Sequence, residues 1–239
     1  AYEIGVRLVG SEMCIRDRQL IMSFYEKYIL PRILNCACAS EPITYQRKKV
    51  VPLAEGKILE VGIGSGLNLP FYDKSKIEEI WGIDPSEELN AMAKKVAIEE
   101  CMNVNFITSS AEDIPFPHDY FDTVLITYTM CTIPSVLQAN KEIKRVLKSS
   151  GKMIFCEHGV SPDENIKKWQ KRLNSIWGKI AGGCNINRNI PMLIKDSGFK
   201  IEEMDEMYLP KTPKIGVIII GDMQELSNFC LLYTSPSPR

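Results

Sequence analysis

The run Lys57-Ile58-Leu59-Glu60-Val61-Gly62-Ile63-Gly64-Ser65-Gly66 constrains this 239-residue chain more than any other. A short apolar strand leads straight into three glycines at alternate positions. Glycine carries no Cβ and tolerates positive φ, so the loop can turn tightly and let a ligand approach the backbone. The pattern predicts the first strand of an α/β sheet, with a nucleotide-like ligand at its carboxyl end. A tight turn without a ligand is the plain alternative.

The downstream pattern continues that sheet. Glu79-Ile80-Trp81-Gly82-Ile83 predicts a second strand ending at Asp84. A helix follows with Leu89, Met92, Ala93, Val96 and Ala97 on one face. Pro85 suits its first turn, and Asp84 or Ser86 suits its cap. Val104–Ile107, Phe121–Thr127 and Lys152–Glu157 predict three more strands, the middle one apolar enough to be covered on both faces. Between the last two, a helix opens at Ser135, turns Val136, Ala139, Ile143, Val146 and Leu147 inward, and ends at Ser149-Ser150-Gly151. Ile166, Trp169, Leu173, Ile176, Trp177 and Ile180 mark a long amphipathic helix. Phe199–Met204 and Ile215–Ile220 predict the last strands. This alternation implies a doubly wound, seven-stranded, mostly parallel Rossmann-like α/β sheet. Asp84, Ser110-Ala111-Glu112, Thr127-Tyr128 and Glu157-His158 all follow strand ends and can share one crevice.

Phe24, Tyr25, Tyr28, Ile29, Ile33 and Leu34 recur at helical spacing, with Pro31 expected to kink or break the helix. The expected organisation is an N-terminal helical cap over residues 22–49 and one domain over 50–222. The first twenty or so residues show no sustained period, the last nine form a turn-rich tail, and both stretches resemble translated sequencing-adapter peptides; the tails are set at residues 1–21 and 223–239. They are expected to be largely non-native, with Met22 as the true start; mobile native tails are the alternative.

Charge is balanced, with 29 Lys and Arg against 30 Asp and Glu, which argues against bulk nucleic-acid binding. The eight cysteines and two histidines show no metal-ligand spacing, so free thiols of a reducing cytoplasm and no metal are expected. No apolar run reaches the roughly 20 residues of a membrane span, and no signal peptide is evident.

Two features separate the ligand classes. A pyrophosphate-binding loop places its third glycine one position later, where this chain has Leu67. Glu60 precedes the glycines, and its carboxylate would oppose a pyrophosphate but attract an ammonium or sulfonium. Asp84 stands where a carboxylate can accept both ribose hydroxyls. Together they favour S-adenosyl-L-methionine over NAD.

Ile58 to Gly66 and Gly82-Ile83-Asp84-Pro85-Ser86 resemble the first two motifs of the class I S-adenosylmethionine-dependent methyltransferases. Ala111 to Phe116, Phe121 to Val124, and Glu142 to Gly151 resemble later ones in the same order. Met130-Cys131-Thr132-Ile133, Cys156-Glu157-His158 and Gly183 to Arg188 resemble the methyltransferase-like 7 thiol or alkyl subgroup. The resemblance implies that Gly62, Gly64 and Gly66 pass beneath the methionine part of the cofactor, with Asn68 and Thr127 nearby. It implies Glu60 at the amino group, Asp84 with Pro85 at the ribose, and Ala111 with Glu112 at the adenine. Ser110 departs from the Asp that many relatives carry there, so the adenine contact loses a charge.

Methyl transfer from a sulfonium is an in-line displacement that mainly requires alignment, and a base only when the acceptor must lose a proton. His158 is the candidate base or acceptor-orienting group, against a satisfied strand-end histidine. His118 reads as a surface turn residue. Tyr128 and Cys131 are expected to line the acceptor pocket, and Asn185 and Arg188 to close it or cap a helix. Lys167, Lys168, Lys171, Arg172 and Lys179 make the tryptophan-bearing helix either a solvated lid or a membrane-surface contact. The expected function is methyl transfer to a small thiol, amine or lipid-like acceptor, by a cytoplasmic protein that could also touch a membrane. A quinone- or sterol-type carbon methyltransferase and a catalytically silent cofactor-binding module are the alternatives. An NAD-dependent oxidoreductase is disfavoured.

Overall fold

The structure is a computed structural model that describes residues 30–208 and 217–225. The expected tail at 1–21 lies outside the described residues, as do Met22, Phe24, Tyr25, Tyr28 and Ile29. Helices α1 (Leu30–Cys38) and α2 (Glu41–Val50) come first. Pro31 is the second residue of α1 and does not break it, since a missing N–H removes no helical bond in a first turn.

The strands are β1 (Gly56–Val61), β2 (Ile77–Asp84), β3 (Asn105–Thr108), β4 (Phe121–Thr127), β5 (Leu147–Gly159), β6 (Phe199–Tyr208) and β7 (Val217–Glu225). They form one sheet in the order β3-β2-β1-β4-β5-β7-β6. Strands β1 to β5 run parallel, and β7 is antiparallel to both β5 and β6. Helices α3 (Glu87–Glu99), α4 (Val136–Val146), α5 (Glu164–Ile180) and α6 (Ile190–Asp196) complete the fold. This is the doubly wound, mostly parallel sheet expected from the alternation. Strand β7 runs past the expected domain end at residue 222.

Side-chain alternation along β1 and β4 divides the core between the two faces. Leu59, Val61, Val124 and Ile126 pack with Phe155 and with Ile143 of α4. Ile58 and Leu125 pack with Ile80, Ile154 and Ala93 of α3. Each fully buried aliphatic side chain contributes about 1.5–3 kcal/mol. Because β1 and β4 are neighbours while the chain leaves them in opposite directions, a switch point lies between their carboxyl ends.

Two local expectations are corrected. Pro85 lies outside α3, because the Asp84 carboxylate holds the Ser86 N–H at 2.9 Å and Ser86 caps the helix through the Leu89 N–H at 3.2 Å. Ser149-Ser150-Gly151 belong to β5 and are not a helix-ending turn. The register there jumps from Phe121–Leu147 to Thr123–Lys152, and Lys148 Nζ on Asp122 Oδ1 at 2.7 Å anchors the bulge. Between β1 and β2 the chain makes only short 3-10 turns, Leu69–Phe71 and Lys74–Lys76, instead of a crossover helix.

Candidate active site

The glycine loop caps the carboxyl end of β1. Its three glycines all have positive φ, +71° at Gly62, +56° at Gly64 and +83° at Gly66. Their surroundings differ. A Cβ on Gly62 would fall 2.3 Å from Thr129, and one on Gly66 would lie 3.0 Å from Ala93. A Cβ on Gly64 would meet nothing nearer than the Gly62 carbonyl at 3.9 Å. The outer glycines therefore serve close packing, and Gly64 faces the opening. The Gly62 N–H donates to the Ile83 carbonyl at 2.8 Å, which ties the loop to β2.

Asp84 ends β2 beside that opening. Its Oδ2 accepts from the Gly64 N–H at 3.1 Å and its Oδ1 from the Ser86 N–H at 2.9 Å. Each oxygen keeps a lone pair for a further donor. Burial raises its pKa, against those two bonds.

Glu60 is buried below the loop. Its Oε1 accepts from Asn68 Nδ2 at 2.8 Å and its Oε2 from the Tyr72 hydroxyl at 2.7 Å. Burial pushes its pKa up to about 7, although both bonds and Arg47 favour the charged form. Asn68 Nδ2 also donates to Thr127 Oγ1 at 3.0 Å. Arg47 Nη1 donates to Asn68 Oδ1 at 2.5 Å and to Thr127 Oγ1 at 2.8 Å, with the guanidinium 4.9 Å over the Tyr128 ring. The side chains of Asn68 and Thr127 are thus engaged in this network. Tyr128 has φ +54° and lies beneath Arg47, its hydroxyl accepting from Cys156 Sγ at 3.2 Å.

Past β3, the Ser110 hydroxyl donates to Glu112 Oε2 at 3.1 Å and accepts the Glu112 N–H at 3.2 Å. Glu112 Oε1 accepts the Ser135 N–H at 2.6 Å, at the start of α4. Ser110 and Glu112 therefore shape the turn that presents the buried Ala111.

Beyond β4 and β5 a second group of side chains meets. Glu157 Oε1 accepts from the Thr129 and Met130 N–H groups at 2.7 and 3.0 Å, and burial raises its pKa to about 7. His158 Nε2 stands 3.2 Å from Cys184 Sγ. Burial works against the charged imidazole, but Cys184 outweighs it and raises the His158 pKa. Hydrogen bonding from Cys131, then His158, lowers that of Cys184 despite its burial. Asn185 caps no helix: its Nδ2 donates to the Cys131 and Gly183 carbonyls at 3.1 and 2.8 Å. Arg188 clasps the same loop through the Met130 and Ile133 carbonyls. His118 lies in the loop before β4.

Known proteins are similar to this chain in sequence and in fold. Residues 59–155 match the family described as Methyltransferase domain. The uncharacterized methyltransferase YcgJ of Bacillus subtilis is 30% identical over 124 residues, 52% of this chain and about half, 49%, of that protein's length. The crystal structure of YcgJ superposes with a TM-score of 0.62 at 16% identity, covering 78% of this chain and 99% of that one. The ubiquinone/menaquinone biosynthesis C-methyltransferase UbiE of Rickettsia rickettsii is 35% identical over 175 residues, 63% of this chain and 71% of that protein. The chain belongs to the class I S-adenosylmethionine-dependent methyltransferases. Thiol S-methyltransferase TMT1B of Rattus norvegicus is 29% identical over 172 residues, 70% of each chain, and this methyltransferase resembles that subgroup.

The family implies S-adenosylmethionine, and the site fits it. Gly64 opens beside a paired carboxylate, and the buried Arg47 keeps its Nε without a hydrogen-bond partner among the described residues. No sequence motif distinguishes Arg47, which reads there as part of a basic connector. The signal lies in α2, where Gln46, Arg47 and Val50 share the buried face. The segments that carry Glu157 and Cys184 stand out in the sequence, but their contacts with the Thr129-Met130 turn and with His158 are legible only in the fold. A shallow cavity of about 490 Å³ lined by Lys57, Lys74, Glu78, Glu79 and Asn103 opens at the amino ends of the strands, at the opposite edge of the sheet from the glycine loop.

Proposed function

We propose that the chain transfers the methyl group of S-adenosylmethionine to a small thiol. The observation that carries the cofactor reading is the loop itself. Gly64 opens beside Asp84, and no helix N-terminus follows to receive a pyrophosphate. Asp84 would accept the ribose hydroxyls, and the Ala111 backbone would contact the adenine. Glu60 would attract the amino group and Arg47 the carboxylate. Asn68 and Thr127 hold those two charged groups in place. The cofactor supplies an activated methyl on a good leaving group. The protein supplies alignment, a buried floor that excludes water, and His158 to orient the acceptor.

Resemblance to a thiol S-methyltransferase supports sulfur as the acceptor atom. A second reading, methylation of a quinone-type carbon, draws on the 35% identity to UbiE. Methyl-labelled cofactor incubated with small thiols, amines and quinol-type phenols separates them. Label on sulfur is expected. Label confined to ring carbon would select the second reading, and binding without any label would select a silent module.

Among the described residues no helix is long and apolar enough to cross a membrane. The outer face of α5 nevertheless exposes Trp169 at 57%, Ile176 at 59% and Ile180 at 56% of their surfaces. Lysines 167, 168, 171 and 179 share the helix. This combination supports peripheral contact with an anionic lipid surface, which would bring lipophilic acceptors to the site.

A further inference from the structure

Three side chains that hold no part of the cofactor meet on the acceptor side. Cys131 comes from the loop after β4, His158 from the end of β5, and Cys184 from the loop after α5. One ligating atom from each, two thiol sulfurs and an imidazole nitrogen, lies within 4.8 Å of the others. We propose that Cys131, His158 and Cys184 form a binding site for a thiophilic metal ion of the zinc class, with a fourth coordination position left open.

The donor set selects the ion. Two thiolates and one imidazole suit zinc or another soft ion and not magnesium or calcium, which take oxygen ligands. A Cys₂His set with one open position is an established arrangement for catalytic zinc. Around a tetrahedral zinc, with Zn–S about 2.3 Å and Zn–N about 2.0–2.1 Å, ligand atoms stand roughly 3.5–3.8 Å apart, so shifts of about 1 Å would close the site.

The surroundings hold these ligands as a metal's outer shell does. Trp177 Nε1 donates to Cys184 Sγ at 3.4 Å. The Asn185 N–H and Nδ2 both donate to the Cys131 carbonyl, at 2.9 and 3.1 Å, and Arg188 clasps the carbonyls on either side. Glu157, next to His158, is fully buried and keeps Oε2 without a hydrogen-bond partner among the described residues. Thr129, two residues before Cys131, donates to the Gly62 carbonyl at 3.4 Å, which sets the cluster beside the glycine loop. As a ligand His158 would orient what binds at the open position and would not act as a base.

The test uses the full chain, reduced and freed of metal by a chelator, titrated with Co²⁺ and then Zn²⁺. The expected result is about one equivalent of Co²⁺ with thiolate charge-transfer and tetrahedral d–d bands, displaced by Zn²⁺. Cys184→Ser, Cys131→Ser and His158→Ala should each lower affinity at least as much as the ~10–100-fold that outer-shell changes cost. Cys101→Ser, on the exposed surface, should match the parent chain. Adenosylhomocysteine binding in the same samples reports folding and the cofactor site separately. In the parent chain, Zn²⁺ should protect Cys131 and Cys184 from alkylation while Cys36 and Cys101 stay reactive. No cobalt uptake, a cobalt spectrum without sulfur ligation, or a Cys131–Cys184 disulfide that resists the reductant would overturn the proposal.

Discussion

Glu60 is a buried carboxylate whose ordinary pKa of 4.5 is pushed up to about 7 by desolvation. A cationic amino group beside it would favour its charged form, so cofactor binding would release the proton. Affinity for adenosylhomocysteine should therefore fall as pH drops below about 7, by up to roughly tenfold per unit, and Glu60→Gln should flatten that slope. The same shift acts on stability with the opposite sense. The folded chain holds this proton more tightly than the unfolded one, so the contribution of Glu60 to stability is lost as pH rises from 4.5 to about 7. Urea midpoints of the parent chain and Glu60→Gln across that window measure it. Arg47 stands on the other side of the same network. Arg47→Met removes a charge-assisted donor and should weaken adenosylhomocysteine binding by roughly 10–100-fold in calorimetry. An unchanged affinity would leave Arg47 only the structural part of bracing Asn68 and Thr127.

Elements built on a single clear period were legible in the sequence, and those set by distant contacts were not. Strand β4 is apolar at Val124, Leu125 and Ile126 because both faces are covered, and all three are fully buried. Leu125→Ala should cost about 2–5 kcal/mol in denaturant unfolding, since the close-packed sheet cannot collapse around the void. The early start of β5 depends on Lys148 reaching Asp122 across the sheet, which no local pattern encodes. Within the helix-free link from β1 to β2, the side chains of Asn68 and Tyr72 donate to the buried Glu60 carboxylate, contacts that likewise follow no local period. Helix α5 was legible as amphipathic, but its apolar residues lie partly outside. Trp169→Glu combined with Ile176→Glu should reduce sedimentation with anionic vesicles and leave adenosylhomocysteine binding intact. Equal sedimentation of the parent and the variant would remove the lipid contact.

At the scale of the molecule, the sheet order places β1, β2 and β4 so that their carboxyl ends surround one opening. The glycines, Asp84 and Glu60 could be found from sequence because each sits at a fixed offset from a strand end. Cys131 and His158 also stood out beyond strand ends, but their meeting with Cys184 did not, because three separate elements carry these residues and only the fold closes the distance. The cofactor site is thus assembled mainly by local order, and the acceptor side mainly by topology. The cofactor proposed for the opening between Gly64 and Asp84 is S-adenosylmethionine. Isothermal titration of the full chain with adenosylhomocysteine, repeated on Asp84→Ala and with NAD as competitor, tests it most directly. One site per chain is expected, lost or strongly weakened in the variant and untouched by NAD; full binding by Asp84→Ala, or displacement by NAD, would rule that ligand out.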